Sequence, residues 1–309
     1  MDFSHNEAHG ILQKATITLM ANVIQGLEDE EPLDIQLQGI SIFLRDGHQD
    51  NHVLHLATVT ILELSIRLWS MCEITIRPES QMYWQLGSNH ALWEDNTHSL
   101  RQQMETCFPE SSIHEEDKLY KSFRLYDIQK VANIEVIWTS NLLDHLRVED
   151  PPDNGKPYTV FIFHHRRFLE YHRDRTSRLY PDGLIEETLK TLDLLLPREH
   201  KGTRKWYKTI AAKYDLDHTA CKSGRLLHHQ DRLLESFTFW RDRLTILKDV
   251  FDEIEPSTIL HFWLDKRHPV QWATFWVAVL VFCLTVFFGI VQSIEGALQV
   301  YKAYHPTPN

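Results

Sequence analysis

Residues 269–294, PVQWATFWVAVLVFCLTVFFGIVQSI, contain no Asp, Glu, Lys or Arg. As a helix rising about 1.5 Å per residue, this stretch would be about 39 Å long, more than the roughly 30 Å hydrocarbon core of a bilayer. Aromatic side chains gather at its beginning, and Tyr301 and Tyr304 follow its end, as is typical of rings that lie at the two headgroup layers. The pattern predicts a single transmembrane helix, with a buried helix of a soluble protein as the alternative. The aromatic anchor residues are Trp272, Phe275, Trp276, Phe282, Phe287 and Phe288.

The flanks of this stretch predict its orientation. Lys266 and Arg267 precede it closely, whereas Lys302 behind it is offset by Glu295. Because basic residues are enriched on the cytosolic side, this small excess places the preceding residues in the cytosol. The first residues, MDFSHNEAHGILQKATITLM, show no basic start or unbroken apolar run of the signal-peptide kind. We therefore expect a tail-anchored protein whose residues 1–268 face the cytosol, in endoplasmic reticulum or secretory membranes rather than the mitochondrial outer membrane.

Composition supports a cytosolic body and disfavours nucleic acid as a partner. The net charge is −11; residues 1–118 carry 19 acidic and 6 basic side chains, a balance of −13, and the remainder has a balance of +2. An acidic front is repelled by nucleic acid and by anionic lipid. The four cysteines are far apart, and no Asn-x-Ser/Thr acceptor occurs. Both features suit a reducing compartment without glycosylation.

The front third of the chain predicts an acidic β-rich domain, residues 1–115, after one helix over residues 7–27. Apolar residues alternate from Leu33 to Leu44 with a change of phase at Gly39, which indicates a β-bulge. They alternate again within 53–68 and within 72–77, around a turn at Asp46-Gly47. The pattern is typical of a small, mostly antiparallel sheet.

The rear predicts a mostly helical domain, residues 116–255, followed by a juxtamembrane helix over 256–268. A helix is expected over 98–107, before the boundary, and the acidic stretch at 115–118 indicates the start of another. TVFIF, residues 159–163, predicts a buried strand, and 135–149 is ambiguous between strand and helix. Further helices are expected in 181–197, from Thr203, and from Arg225 to Ile254. The fold class is therefore α+β, with one transmembrane helix and a short amphipathic tail over 295–309.

Nineteen histidines raise the question of a metal or catalytic site. His48, His52 and His55 would share one face of a helix, but the alternation in this region favours a strand, which makes a three-histidine metal site unfavourable. His145 approaches His164 if their segments are neighbours, and His165 follows directly. These three are the candidate catalytic residues, although satisfied structural histidines are the more common case.

Motifs with a known mechanism are absent from the sequence. It contains no Walker A loop, dinucleotide-binding glycine pattern, nucleophile elbow, H-E-x-x-H or C-x-x-C. We therefore expect no cofactor. Basic residues concentrate at 164–178 and 201–208, which indicates a solvated or membrane-facing surface. Gly289, Ser293 and Ala297 place small residues four positions apart, which permits close contact between helices and predicts a homo-oligomer as one outcome.

Several blocks together resemble a set found in uncharacterised filamentous-fungal proteins. They are WTSNLLDHL (138–146), FIFHH (161–165), PDGLIEETLKTLDLLLP (181–197), FTFWRDRLTILKDVFDEIEPST (237–258) and QWATFWVAVLVFCLTVFFGIVQSIEGALQVYKAYHP (271–306). The last block carries a QWxTFWVAxLVxxLTxFFGxVQxIEGALQVYKAYHP-like membrane segment. The resemblance covers roughly residues 120–306 and implies a modular body that ends in one membrane helix. It brings no catalytic residues.

These observations predict a non-enzymatic interaction or scaffold module that is tethered to a bilayer and presents its body to a cytosolic protein partner. A membrane-anchored hydrolase that uses His145, His164 or His165 is the alternative. A third class, in which the C-terminal helix gates or oligomerises, also remains open. A pocket with converging polar side chains favours catalysis, and an exposed apolar patch favours a partner.

Overall fold

The computed structural model describes residues 17–45, 51–76, 91–93, 97–112, 117–153, 156–175, 178–221, 227–228, 230–254 and 269–304. The chain forms two units, divided after Glu253. The described residues up to Glu253 are called the body below. The second unit contains the apolar helix.

The body contains helices at both ends of its sequence and a short mixed sheet between them. Its helices are α1 (residues 17–28), α2 (Leu33–Arg45), α3 (Asn51–Ser70), α4 (Leu100–Cys107), α5 (Leu125–Lys130), α6 (Arg166–Asp174), α7 (Leu184–Leu195), α8 (Lys201–Tyr214) and α9 (Arg241–Glu253). Its strands are β1 (Ile74–Thr75), β2 (Ala91–Leu92), β3 (Glu135–Thr139), β4 (Val148–Glu149) and β5 (Thr159–Phe163). The α+β class is confirmed in this coarse form.

The predicted β-rich front is wrong. Leu33–Arg45 and Asn51–Ser70, which were expected to be strands, are helices α2 and α3. In α3 the buried positions recur every four residues, at Leu54, Thr58, Leu62, Ile66 and Ser70. A run with apolar residues at every second position also contains this spacing, so the alternation fits both periods. Packing against the rest of the body selects the helix.

Strand direction also differs from the prediction. β1 pairs with β2 in parallel, so the short strand inside the predicted 72–77 does not belong to an antiparallel meander. The main sheet has the order β3-β5-β4, in which β3 and β5 are parallel and β4 and β5 are antiparallel. The strand predicted at 159–163 is confirmed and is the central one. The predicted turn at Asp46-Gly47 lies outside the described residues.

The front and the rear of the body are joined by hydrogen bonds at the end of α3. The Met71 carbonyl accepts from the Leu142 backbone N–H at 2.7 Å, and the Tyr180 hydroxyl donates to the Ser70 carbonyl at 2.6 Å. The Glu73 N–H donates to Asn141 Oδ1 at 3.1 Å. Residues on both sides of the predicted boundary at residue 115 therefore pack into one compact unit.

Helix α7 lies at the centre of the rear part. Of its twelve residues, Glu186 and Lys190 alone are not buried. The helix therefore packs on almost every side, and its buried residues include Glu187, Thr188, Thr191 and Asp193. The helix predicted over 181–197 is confirmed, as are those near 98–107 and from Thr203.

The long helix expected from Arg225 to Ile254 is shorter than predicted and begins at Arg241. Glu187 of α7 accepts backbone N–H groups from Thr238, Phe239 and Trp240, at 2.7, 2.9 and 2.7 Å. These N–H groups belong to the three residues just before α9, so a buried carboxylate of another helix holds the chain at the point where α9 begins. This contact fixes where α9 starts. The helix predicted from 115–118 is likewise reduced, to α5.

In the second unit, residues 269–304 form one continuous helix, α10 (Pro269–Tyr304, 36 residues). Within Ala273–Tyr301 an 18-residue window has a mean hydropathy of 2.5, and none of this window is covered by protein. The structure thus contains one helix that is long and apolar enough to cross a membrane, among the residues it describes. The helix passes through 294 without a break and includes the first ten residues of the predicted tail. The predicted juxtamembrane helix, 256–268, lies outside the described residues.

Replacing Leu62 and Leu64 separately by Ala distinguishes a helix from a strand at 51–70. The two side chains share a face in a strand, but in α3 Leu62 is fully buried and Leu64 is 42% exposed. We expect Leu62→Ala to lower the free energy of unfolding by about 2–5 kcal/mol and Leu64→Ala by less than about 1 kcal/mol. Urea titration of the detergent-solubilised chain measures both. Equal losses would contradict the helix.

Candidate functional site

A groove of about 880 Å³ lies beside β3 and is called the β3 groove below. All five residues of β3 and the following Ser140 line it. Its other lining residues come from several parts of the body: Glu73, Asp144, Glu149, Phe161, His164, Tyr214 and Leu216. Binding sites in sheets with parallel strands commonly lie beyond the carboxyl ends of those strands, where Ser140 and His164 follow β3 and β5. The β3 groove is therefore the candidate functional site.

The loop that follows β3 is held rigidly. Asn141 Oδ1 accepts from the backbone N–H groups of Glu73 and Leu143, and its Nδ2 donates to Asp144 Oδ2 at 3.2 Å. Asn141 caps one turn of 3₁₀ helix at Leu142–Asp144. Because every polar group of the Asn141 side chain is engaged, the end of β3 has one defined shape.

Four carboxylates line the β3 groove, with no Lys or Arg among its lining residues. Arg67 Nη2 lies 2.9 Å from Glu73, and Arg147 bridges Asp144, at 2.8 Å, and Glu149. The Arg147 guanidinium also lies 4.0 Å above the Phe161 ring, which fixes its position. Glu135, at the start of β3, is exposed. Sequence reasoning missed these acids because they are far apart along the chain.

His164 is the one histidine among the three predicted catalytic residues that lines the β3 groove. Its Nδ1 accepts the backbone N–H of Asp217 at 3.2 Å, so the ring carries its proton on Nε2. Burial and the adjacent His165 lower the pKa of His164 to about 4, so the ring is neutral at pH 7. A general base needs a free lone pair. In this arrangement the only lone pair of the neutral His164 ring already accepts the Asp217 N–H.

His165 precedes α6 and stacks beside His164, with ring centroids 3.9 Å apart. Asp217 lies next to this pair and caps α6, since its Oδ2 accepts the Arg167 N–H at 2.9 Å. Its Oδ1 accepts from the Thr219 N–H and hydroxyl at 2.9 and 2.7 Å. These hydrogen bonds outweigh desolvation and lower the pKa of Asp217. His164 and His165 therefore lie at the N-terminus of α6.

His145 is completely buried, and both of its ring nitrogens are engaged. Nδ1 accepts the Phe163 N–H at 3.3 Å, and Nε2 lies 2.7 Å from the Thr191 hydroxyl. Trp240 stacks edge-on at 4.9 Å. Desolvation, reinforced by Arg243, lowers the pKa of His145 to about 3. The segments of His145 and His164 are neighbours, but the two rings contact different partners, and His145 does not line the groove.

The predicted metal candidates receive no support from the described residues. His48 and the side chain of His52 lie outside them, and His55 is on α3. The backbone at 52 and 55 belongs to helix α3, contrary to the predicted strand. In the part of the chain that the structure describes, no group of three His, Cys, Asp or Glu side chains could hold a metal ion.

A second cavity, of about 470 Å³, is lined by charged residues that pair with one another. Arg166 Nη1 contacts Asp193 at 2.6 Å, and both side chains are buried. Lys190 donates to the Ser236 carbonyl and hydroxyl, and Arg173 pairs with Asp174. Each lining cation thus has a partner within the body. The cavity is explained by packing of α6 on α7.

On α10 the predicted anchor residues lie on an uncovered helix. Phe282, Phe287 and Phe288 are 68%, 59% and 57% exposed. Phe275 and Trp276 contact each other edge-on at 5.9 Å, and Trp272 belongs to the same helix. Thr285 and Ser293 donate their hydroxyls to the carbonyls four residues earlier, at 2.9 and 2.8 Å. These two hydroxyls are therefore satisfied by their own helix, which is the arrangement that hydrocarbon favours.

No protein-family model, curated protein or solved structure matches this chain.

Buried neutral histidines make the stability of the body depend on pH. His172 lies among Trp69, Phe168 and Tyr180, at 5.1, 4.5 and 5.4 Å between ring centroids, and burial lowers its pKa to about 4. The unfolded chain binds a proton near pH 6.5, so the contribution of His172 is complete above that pH. It is lost as the pH falls towards 4.

We expect His172→Phe to lose less stability than the wild type between pH 7 and pH 4, by roughly 2–3 kcal/mol. Tyr171→Phe keeps the histidine and should keep the wild-type pH dependence. Urea titrations at several pH values measure this. Parallel curves for His172→Phe and the wild type would show that His172 does not resist protonation.

Proposed function

We propose that the protein is a single-pass membrane protein whose body acts as an interaction module for a protein partner. The uncovered apolar surface of α10 carries this proposal. A 36-residue helix is about 54 Å long, and about 20 residues suffice to cross the hydrocarbon core. The remaining residues can lie at the two interfaces, where Trp276 and Tyr301 fit as aromatic anchors.

The same proposal places the body on the cytosolic side. Lys266 and Arg267 precede the helix, whereas Glu295 offsets Lys302 behind it. All four cysteines are free, which suits a reducing compartment. The weak charge behind the span favours the endoplasmic reticulum or secretory membranes over the mitochondrial outer membrane.

Exposed apolar side chains on the body favour an interaction role over catalysis. On α3, Leu56, Leu64 and Leu68 are 51%, 42% and 59% exposed and recur at multiples of four residues. On α2, Ile42 and Phe43 are 69% and 47% exposed. Contiguous apolar surface is typical of protein-binding sites. The alternative hydrolase is disfavoured because His145 and His164 use their lone pairs in structural hydrogen bonds.

Substituting two residues in the middle of α10 by arginine tests whether this helix is a membrane anchor. We expect Leu284→Arg with Phe288→Arg to release the protein from membranes, because each arginine costs about 2.5–3.5 kcal/mol at the centre of a membrane helix. The measurement is the fraction of protein in the membrane pellet after an alkaline carbonate wash. The matched control, Leu284→Ile with Phe288→Leu, should stay in the pellet, as the wild type does. A wild type that washes off would refute the anchor.

Protease protection tests the orientation. In sealed vesicles that carry the full chain with an N-terminal epitope tag, we expect added protease to remove the tag without detergent. The basic residues before α10 favour the cytosolic, protease-accessible side. A fragment that contains α10 should remain protected until detergent is added. A tag that survives until the vesicles are dissolved would reverse the orientation.

A further inference from the structure

One edge of β3 is open. β3 is a terminal strand of the sheet, and no strand of the described residues pairs with its outer edge. The Glu135 N–H donates to the Tyr158 carbonyl at 2.8 Å, so the residues at 135, 137 and 139 direct their backbone groups towards β5. In a parallel ladder the intervening residues then direct theirs away from it. Val136 and Trp138 thus present two N–H and two C=O groups to the β3 groove.

The shape of the β3 groove fits an added strand. Every residue from Glu135 to Ser140 lines it, so it follows the whole length of β3, about 17 Å for five extended residues. Tyr214 and Leu216 line it as well, and so do Phe161 and Glu149 from the neighbouring strands. Ile137 is 38% exposed on this strand, which contains no Lys or Pro. Lys and Pro are the residues that commonly protect an edge strand from pairing with another chain.

The charge of the β3 groove indicates which kind of peptide it would bind. Glu135 is exposed at the start of β3, and Glu149 is 42% exposed. Arg67 pairs with Glu73, and Arg147 is shared by Asp144 and Glu149, so the four lining carboxylates face two arginines and the groove keeps a negative balance. A peptide with Lys or Arg at alternate positions would place these charges near the carboxylates. An acidic peptide would be repelled.

We propose that β3 accepts an extended basic peptide of a partner protein, which pairs with the outer edge of the strand through the backbone groups of Val136 and Trp138. The proposal rests on the interaction role proposed above and specifies its partner. Main-chain hydrogen bonds supply affinity in this mode of recognition, and alternate side chains supply specificity. A second copy of this chain is a poorer occupant, because pairing β3 with β3 brings acidic grooves together.

The test uses the full chain in non-ionic detergent micelles and three fluorescein-labelled hexapeptides. The first alternates Lys and Val, the second alternates Glu and Val, and the third is the Lys-Val peptide with N-methyl groups on alternate residues. We expect the Lys-Val peptide to raise fluorescence anisotropy saturably and the Glu-Val peptide to leave it unchanged. N-methylation removes donors from the pairing edge and should weaken binding at least about tenfold.

Charge variants of the protein localise the binding. Glu135→Lys should weaken binding of the Lys-Val peptide by at least about tenfold. Glu110→Lys changes the net charge equally at an exposed position outside the β3 groove and should have less than about a twofold effect. Hydrogen exchange adds a direct readout, since the peptide should slow amide exchange in residues 135–139.

Three outcomes would overturn the proposal: no binding of the Lys-Val peptide, equal binding of its N-methylated form, or equal weakening by Glu135→Lys and Glu110→Lys. If the chain instead dimerises without peptide and Glu135→Lys abolishes the dimer, this result would assign the edge of β3 to a second copy of the chain and would overturn the proposal. Peptide binding in micelles does not require α10 to cross a bilayer. The carbonate wash therefore tests the proposed membrane anchor independently of the proposed peptide binding in the β3 groove.

Discussion

An apolar helix without a protein covering is the constraint on which this account of the molecule depends. Residues Ala273–Tyr301 expose Phe, Leu, Val and Ile side chains along their length, and water strongly disfavours such a surface. A helix is also one of the few structures that hydrocarbon accepts, because its backbone polar groups pair within the segment. The hydroxyls of Thr285 and Ser293 follow the same rule. A bilayer would satisfy this whole surface, and for that reason we propose α10 as a membrane anchor.

The body is organised by polar side chains that hold separate segments together. Asn141 joins the end of α3 to the loop after β3, and Glu187 of α7 fixes the start of α9. Both side chains are buried and satisfied by backbone N–H groups, which makes their loss costly. His145 and His164 serve the same purpose, because each accepts a backbone N–H. The body therefore uses its buried histidines for structure and leaves the edge of β3 open.

The sequence could predict elements whose pattern fits one period. α10 and α7 are of this kind, since a long apolar run and a 3-4 spacing both indicate a helix. β5 was predictable from its composition, because TVFIF consists of β-branched and aromatic residues. α2 and α3 were mispredicted because their alternation of apolar residues fits a strand and a helix alike. The β3 groove was missed because tertiary structure brings Glu73 and Glu135 together. The role of His164 depends on Asp217, and no sequence spacing reveals that hydrogen bond.

The thiol of Cys283 offers the most direct test that α10 lies in a bilayer. Cys283 is free and exposed on the helix surface, whereas Cys72 and Cys221 are buried in the body. Membranes that carry the full chain would be treated with a charged maleimide, and modification would be located by mass spectrometry, with Lys213→Cys on α8 as an exposed control. The account predicts modification at position 213 and none at Cys283 until detergent or denaturant dissolves the membrane. Modification of Cys283 in intact membranes at the rate of the control would contradict it.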